Sequence, residues 1–167
     1  LSAEEIARLK KESMSLEGSL EIAQYILDYV QNDATGRSLI PAATVSMSGA
    51  STSLASQIDF YNKNVLDYQR LLNESSETNP VILDLNAQIS SLRSSIVASL
   101  ESHIESLKLQ IKNVSNEQRK ADSRMTSSPT KEKELLSITR QQKVKEELYI
   151  YLLTKLEENA LTGATAE

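Results

Sequence analysis

Apolar positions recur along the chain at alternating spacings of three and four, in four long stretches. In the first, Ile6, Leu9, Ser13, Leu16, Leu20, Ala23, Leu27 and Val30 keep this period, which predicts a helix over 2–32 packed lengthwise on others. Ser2 with Glu5 fits a capping box. Gly18 weakens the middle by about 1 kcal/mol relative to alanine and marks a candidate close helix crossing. Leu54, Ile58, Tyr61, Val65, Tyr68 and Leu72 predict a second helix over 52–73. Pro80 holds Asn79 extended and opens a third helix over 80–125. Its stripe runs Ile82, Leu85, Ile89, Leu92, Ile96 and then Val97, Leu100, Ile104, Leu107, Ile111, Val114. The one-residue slip at Ile96/Val97 rotates the stripe and predicts a change of packing partner there. The fourth helix is expected over 129–162, with Ser128 as N-cap, Pro129 in the first turn and Gly163 as its stop. Its expected inward face is Leu135, Ile138, Gln142, Lys145, Tyr149, Leu152 and Leu156.

Between the first two helices the pattern breaks. Residues 33–51 are expected to be irregular, with a short strand over 43–47 or a mobile segment as the two alternatives. The turns ESSETN and MTSSP are short enough to force antiparallel neighbours. Pairing across the first puts Ile58 near Val97 and Leu72 near Leu83. Pairing across the second puts Tyr149 near Ile104 and Leu107. The second helix then covers the lower half of the third, the fourth covers the upper half, and the first lies along the lower section. The fold class expected is all-α: a single elongated antiparallel rod, residues 1–167, of about four helices with a long αα-hairpin, more than about 70 % helical against ordinary base rates.

Composition narrows this picture. Six Tyr, one Phe and no Trp among 167 residues leave an aliphatic core, and four Gly with three Pro leave few turns. The net charge of −5, mixed in sign, argues against general nucleic-acid binding. The absence of cysteine removes disulfides and thiolate chemistry. No run of about eighteen apolar residues is present, so no membrane contact is expected of this segment. The chain starts at Leu1 without a methionine and is expected to be a fragment of a longer protein.

Chemistry-bearing residues are sparse. His103 is the lone histidine, without a second His or Cys to build a metal site or relay, and is expected to pack. Glu146/Glu147 and Glu157/Glu158 are adjacent on a helix and point to different faces, unlike a glycosidase pair. Solvated faces with partners such as Lys143 are expected instead. Tyr149 and Tyr151 allow sugar stacking or phosphorylation, but a packing or interface role is expected for Tyr149. Arg119, Lys120, Arg124, Lys131 and Lys133 form a candidate basic tip for an acidic polymer or a neighbouring protomer; a merely solvated end accounts for them equally. No phosphate-binding glycine loop or catalytic constellation is visible, so no cofactor, no metal and no turnover of ATP or polysaccharide are expected.

Pro129, Glu134, Leu136, Ile138, Arg140, Tyr149, Leu152, Leu153, Lys155 and Glu158 form the pattern P-x4-E-x-L-x-I-x-R-x8-Y-x2-L-L-x-K-x2-E. It resembles the last periplasmic helix of Wzc-type polysaccharide co-polymerases and tyrosine autokinases, the chain-length determinants of capsule and exopolysaccharide export. Tyr61, Asn62, Arg70, Leu71, Leu72, Asn79, Pro80, Leu85, Ile89, Leu92 and Arg93 extend the resemblance upstream, so that it spans about residues 50–162. The resemblance implies a periplasmic trunk of a bacterial inner-membrane protein, assembled as a homo-oligomeric ring beside the polymerase and export machinery. In Wzc-type members a cytoplasmic tyrosine kinase domain follows, and none of it lies in this chain. Arg140, Tyr149, Leu152, Leu153, Pro129 and Glu134 become the candidate packing and assembly residues, Arg140 through a carboxylate-binding fork. The alternative is a generic coiled-coil adaptor or tether that binds partner helices.

Overall fold

The computed structural model describes residues 2–124 and 130–165, with only the backbone given for 42, 43, 130–132, 135 and 160–165. Five helices follow in order: α1 (Ala3–Gln31), α2 (Ala42–Met47), α3 (Thr52–Glu74), α4 (Pro80–Arg124) and α5 (Thr130–Thr165). The described residues contain no strand. The fold is all-α, as the periodicity predicts, with one helix more than expected.

The additional helix is α2, inside the stretch expected to be irregular over 33–51. A turn-and-a-half of helix survives there because Thr44 and Val45 are buried against neighbouring helices. Its polar side chains are also satisfied locally. The Thr44 hydroxyl donates to Pro41 O at 2.6 Å, and the Ser48 hydroxyl donates to Val45 O. Gly49, with φ of 70°, then reverses the chain in a conformation that side chains rarely adopt.

α4 is the axis. At about 1.5 Å per residue its 45 residues extend about 68 Å. Ile82, Ile89 and Ile96 are buried along its lower half, and Leu100, Ile104, Leu107, Val114 and Ala121 along its upper half. The step 96–100–104 is two successive fours, so the stripe slips by one residue where the sequence indicates. α3 lies antiparallel on the lower half, as expected from the short turn: Ser99 Oγ donates to Gln57 Oε1 at 3.2 Å, at nearly the pairing predicted for Ile58 and Val97.

The upper half of α4 is covered differently from expectation. Its cover is α1, which runs antiparallel to α4: Arg93 bonds Val30 O, while Ala23 clusters with Ile104 and Leu107. α5 lies chiefly against α1. Leu148 Cδ1 stands 3.0 Å from where a Cβ on Gly18 would be, so Gly18 does mark a close crossing. α1 is therefore buried on two sides, and Ile22 and Ile26, off the single stripe read from sequence, are as buried as the residues on it.

The inward face of α5 is rotated by about one residue from the expected one. Gln141, Val144, Leu148, Leu152 and Lys155 turn inward, whereas Ile138, Gln142, Lys145 and Tyr149 are exposed. The rotation has a physical cause: Leu148 fills the space left by Gly18, and that fixes which side of α5 faces α1. α5 also continues through Gly163 to Thr165, beyond the expected range of 129–162. A glycine costs about 1 kcal/mol in a helix but does not forbid its hydrogen bonds. Ser128, Pro129 and the turn before α5 lie outside the described residues.

Candidate functional site

Two regions carry side chains that core packing alone does not account for. The first is the connector 32–41, most of whose backbone polar groups have no helix or sheet partner and must be satisfied otherwise. Asn62 on α3 does this at two points. Its Oδ1 accepts from the Ile40 amide and its Nδ2 donates to Ile40 O, both at 2.8 Å. The Tyr61 hydroxyl donates to Gly36 O at 3.1 Å and Ser38 O at 3.2 Å. The Tyr29 hydroxyl donates to Leu39 O at 2.8 Å. Burial, with the Asp33 carboxylate next, pushes the Tyr61 hydroxyl up to about 12, so it remains a donor across the working pH range.

Asp33 organises the turn at the end of α1. Its carboxylate accepts from the amide and hydroxyl of Thr35 and from the amide and hydroxyl of Ser38, at 2.8–3.1 Å. Burial is the largest single influence on this carboxyl and raises its pKa, but the Ser38 and Thr35 hydrogen bonds together outweigh it and hold the group below its ordinary value. The stability Asp33 contributes is thus complete above its unfolded pKa of about 4 and is lost as pH falls through the lower folded value. Melts of the parent and of Asp33→Asn between pH 7 and pH 2 are expected to differ most near neutrality and to converge below about pH 4.

Two arginines meet at the same connector. Arg37 donates from Nε (3.1 Å) and Nη2 (2.7 Å) to Asn86 Oδ1 on α4. Its guanidinium carbon sits 4.3 Å from the centroid of the Tyr68 ring, a cation–π contact. Arg93, on α4, donates from Nη2 to Val30 O at 2.6 Å and Asp33 O at 3.3 Å, closing the carbonyl end of α1. Gly36 takes φ of 66° between them.

The second region is the outward side of α5. Glu134, Leu136, Ile138, Arg140, Ile150 and Leu153 are exposed there. Tyr149 is 50 % exposed and touches Tyr25 of α1 edge-to-face, with ring centroids 6.3 Å apart, in place of the expected packing on Ile104 and Leu107. Leu152, by contrast, is buried in the same cluster as Ile22 and Ile26. Of the basic tip, Arg119, Lys120, Arg124 and Lys133 are exposed, with Lys120 paired to Glu117 at 3.6 Å. Pro129 and the Lys131 side chain lie outside the described residues. His103 is half-buried and bonds Ser48 O at 2.8 Å through Nε2, in line with a packing role.

The sequence pattern brings Tyr61, Asn62 and Arg93 to notice, and all three bind the connector. It passes over Asp33 and Arg37, which lie in a stretch without periodicity; the signal available was a carboxylate followed by threonine and serine two and five residues on, an Asx-turn pattern. Among the described residues no group of three His, Cys, Asp or Glu is placed to hold a metal, and no helix is long and apolar enough to cross a membrane. No family model matches the chain, and no curated protein or solved structure matches it significantly.

Proposed function

We propose that this chain is a non-catalytic scaffold: a periplasmic helical segment of an inner-membrane polysaccharide co-polymerase that sets capsule or exopolysaccharide chain length. The observation that carries the reading is the exposure of the α5 residues behind the resemblance. Glu134, Leu136, Ile138, Arg140, Tyr149 and Leu153 all sit at the surface of α5, while Leu152 alone of that central group is buried. Apart from Tyr149, which touches Tyr25, these side chains are not required by intramolecular packing, so a contact with another molecule is the simplest use for them. In this mechanism α5 offers Ile138, Tyr149 and Leu153 on one flank and the Arg140 guanidinium on the opposite flank to neighbouring protomers, and the assembled ring guides polymer growth beside the polymerase and export machinery.

The expected result is a separation of stability from function. In the isolated chain Arg140→Ala should shift the unfolding free energy by no more than about 0.5–1 kcal/mol, as surface changes do. Tyr149→Ala should cost about 1 kcal/mol, the scale of one aromatic edge contact. In cells making the full-length protein, Arg140→Ala should change the length distribution of the exported polymer. An unchanged distribution, with the full-length protein found in the soluble fraction of a lysate, would overturn the reading in favour of a tether that binds a partner helix. Leu136 and Ile150, fourteen residues apart and both exposed, are the residues such a helix would meet.

A further inference from the structure

The connector and α4 enclose a polar pocket of about 310 Å³, lined among others by Thr35, Arg37, Asn86, Ser90, Arg93 and Ser94. No acidic side chain lines it. Both guanidinium groups are partly buried, and among the described residues neither lies within 4.0 Å of a carboxylate. The nearby Asp33 carboxylate is already engaged by Thr35 and Ser38. The partners of the two arginines are neutral: an amide oxygen and a ring for Arg37, main-chain carbonyls for Arg93. Arg93 Nε is sealed from solvent with no acceptor. Two partly buried guanidinium groups thus line one pocket with no carboxylate in direct contact, an arrangement that favours a further anion, and separate bonds hold each in place. Gly36 adds room on the same side: a Cβ there would stand 3.5 Å from Arg93 Nη1.

We infer that this pocket binds an oxyanion, a phosphate or carboxylate group, between Arg37 and Arg93, with the Ser90 and Ser94 hydroxyls on its rim. Guanidinium groups suit this because their planar forks match the spacing of oxyanion oxygens. The volume sits at the small end of ligand sites and suits a phosphate or a single acidic sugar. The inference stands apart from the assembly proposed above, since it needs neither a parent protein nor a polymer.

The test uses the chain as it is, labelled with ¹⁵N and titrated with inorganic phosphate, with glucuronate, with neutral methyl glucoside, and with sodium chloride at matched ionic strength. Saturable shifts of the Gly36, Arg37, Ser90 and Ser94 amides are expected with phosphate, with glucuronate or with both. The stronger of the two identifies the source of the anion. Ser90 is exposed on α4, so Ser90→Glu and Ser90→Gln should both fold. Ser90→Glu should bind at least about ten-fold more weakly than its neutral isostere Ser90→Gln, a loss of the size one unfavourable charge contact produces. Equal shifts with sodium chloride or methyl glucoside, no saturation with either anion, or equal binding by the two Ser90 variants would each overturn the inference.

Discussion

Replacing Tyr61 by alanine is expected to destabilise the protein by about 4 kcal/mol, the scale of a large aromatic truncation in a packed site. Tyr61 is 1 % exposed and belongs to the main core cluster with Ile58, Val65 and Ile89. Its ring joins α3 to that core, and its hydroxyl reaches out of the core to hold Gly36 and Ser38. One side chain thus does two jobs, and the variant Tyr61→Phe separates them. It keeps the ring and removes the donor, leaving two partly buried carbonyls short of a hydrogen bond, at a cost of about 1–3 kcal/mol. Urea melts followed by circular dichroism measure both. A loss below about 1.5 kcal/mol for Tyr61→Ala, the smallest burial value for an apolar side chain, would mean that the core closes over the gap.

The second large effect is expected at Gly18. Alanine there is close to neutral. Its Cβ meets only the end of the flexible Leu148 side chain, at 3.0 Å, and its better helix propensity of about 1 kcal/mol offsets the crowding. Phenylalanine has no such escape. It occupies the space of Leu148 and should lift α5 from α1, exposing Leu152 together with the rest of the inward row, a loss of about 3 kcal/mol. Hydrogen exchange locates the damage. Amides between Val144 and Leu153 should lose protection in Gly18→Phe, while those of the α3–α4 hairpin keep theirs. Uniform loss across the chain, or none in α5, would show that α5 is not an independently docked element.

Why α3 and α4 are legible in sequence, and α5 only in part, follows from where their partners lie. The stripe Leu54–Ile58–Tyr61–Val65–Tyr68 meets its partner across the turn 75–79, so spacing and turn length together fix the pairing. The slip at Ile96/Val97 is equally local, and it correctly signals that the cover of α4 changes there. The short MTSSP stretch before α5 likewise suggests, in sequence, α4 as its partner. Its actual partner is α1, more than a hundred residues earlier, chosen by the fit of Leu148 to Gly18. Spacing within α5 does not contain that information, because Ile138, Tyr149 and Leu152 make as regular a row as Val144, Leu148 and Leu152. The six-residue α2 is too short for a period to declare itself, and its β-branched Thr44 and Val45 favour strand by propensity, so burial decides. At the connector, Tyr61, Asn62 and Arg93 stand on helices whose pattern could be read, whereas Asp33 and Arg37 act through turn geometry that only the folded chain displays.

The placement of α1 between α4 and α5 also bears on the order in which the chain can fold. The α3–α4 hairpin closes through contacts near in sequence, at the low entropic cost of a short loop. The bond from Arg93 to Val30 O spans 63 residues, and the Ala23 cluster with Ile104 and Leu107 spans more. During synthesis α1 leaves the ribosome before the helices that cover it: its buried side waits for almost the whole of α4, and its other side waits for α5. For a helical protein this is high contact order, which slows folding, and it leaves Ile22, Ile26 and Val30 uncovered for most of the time the chain is being made.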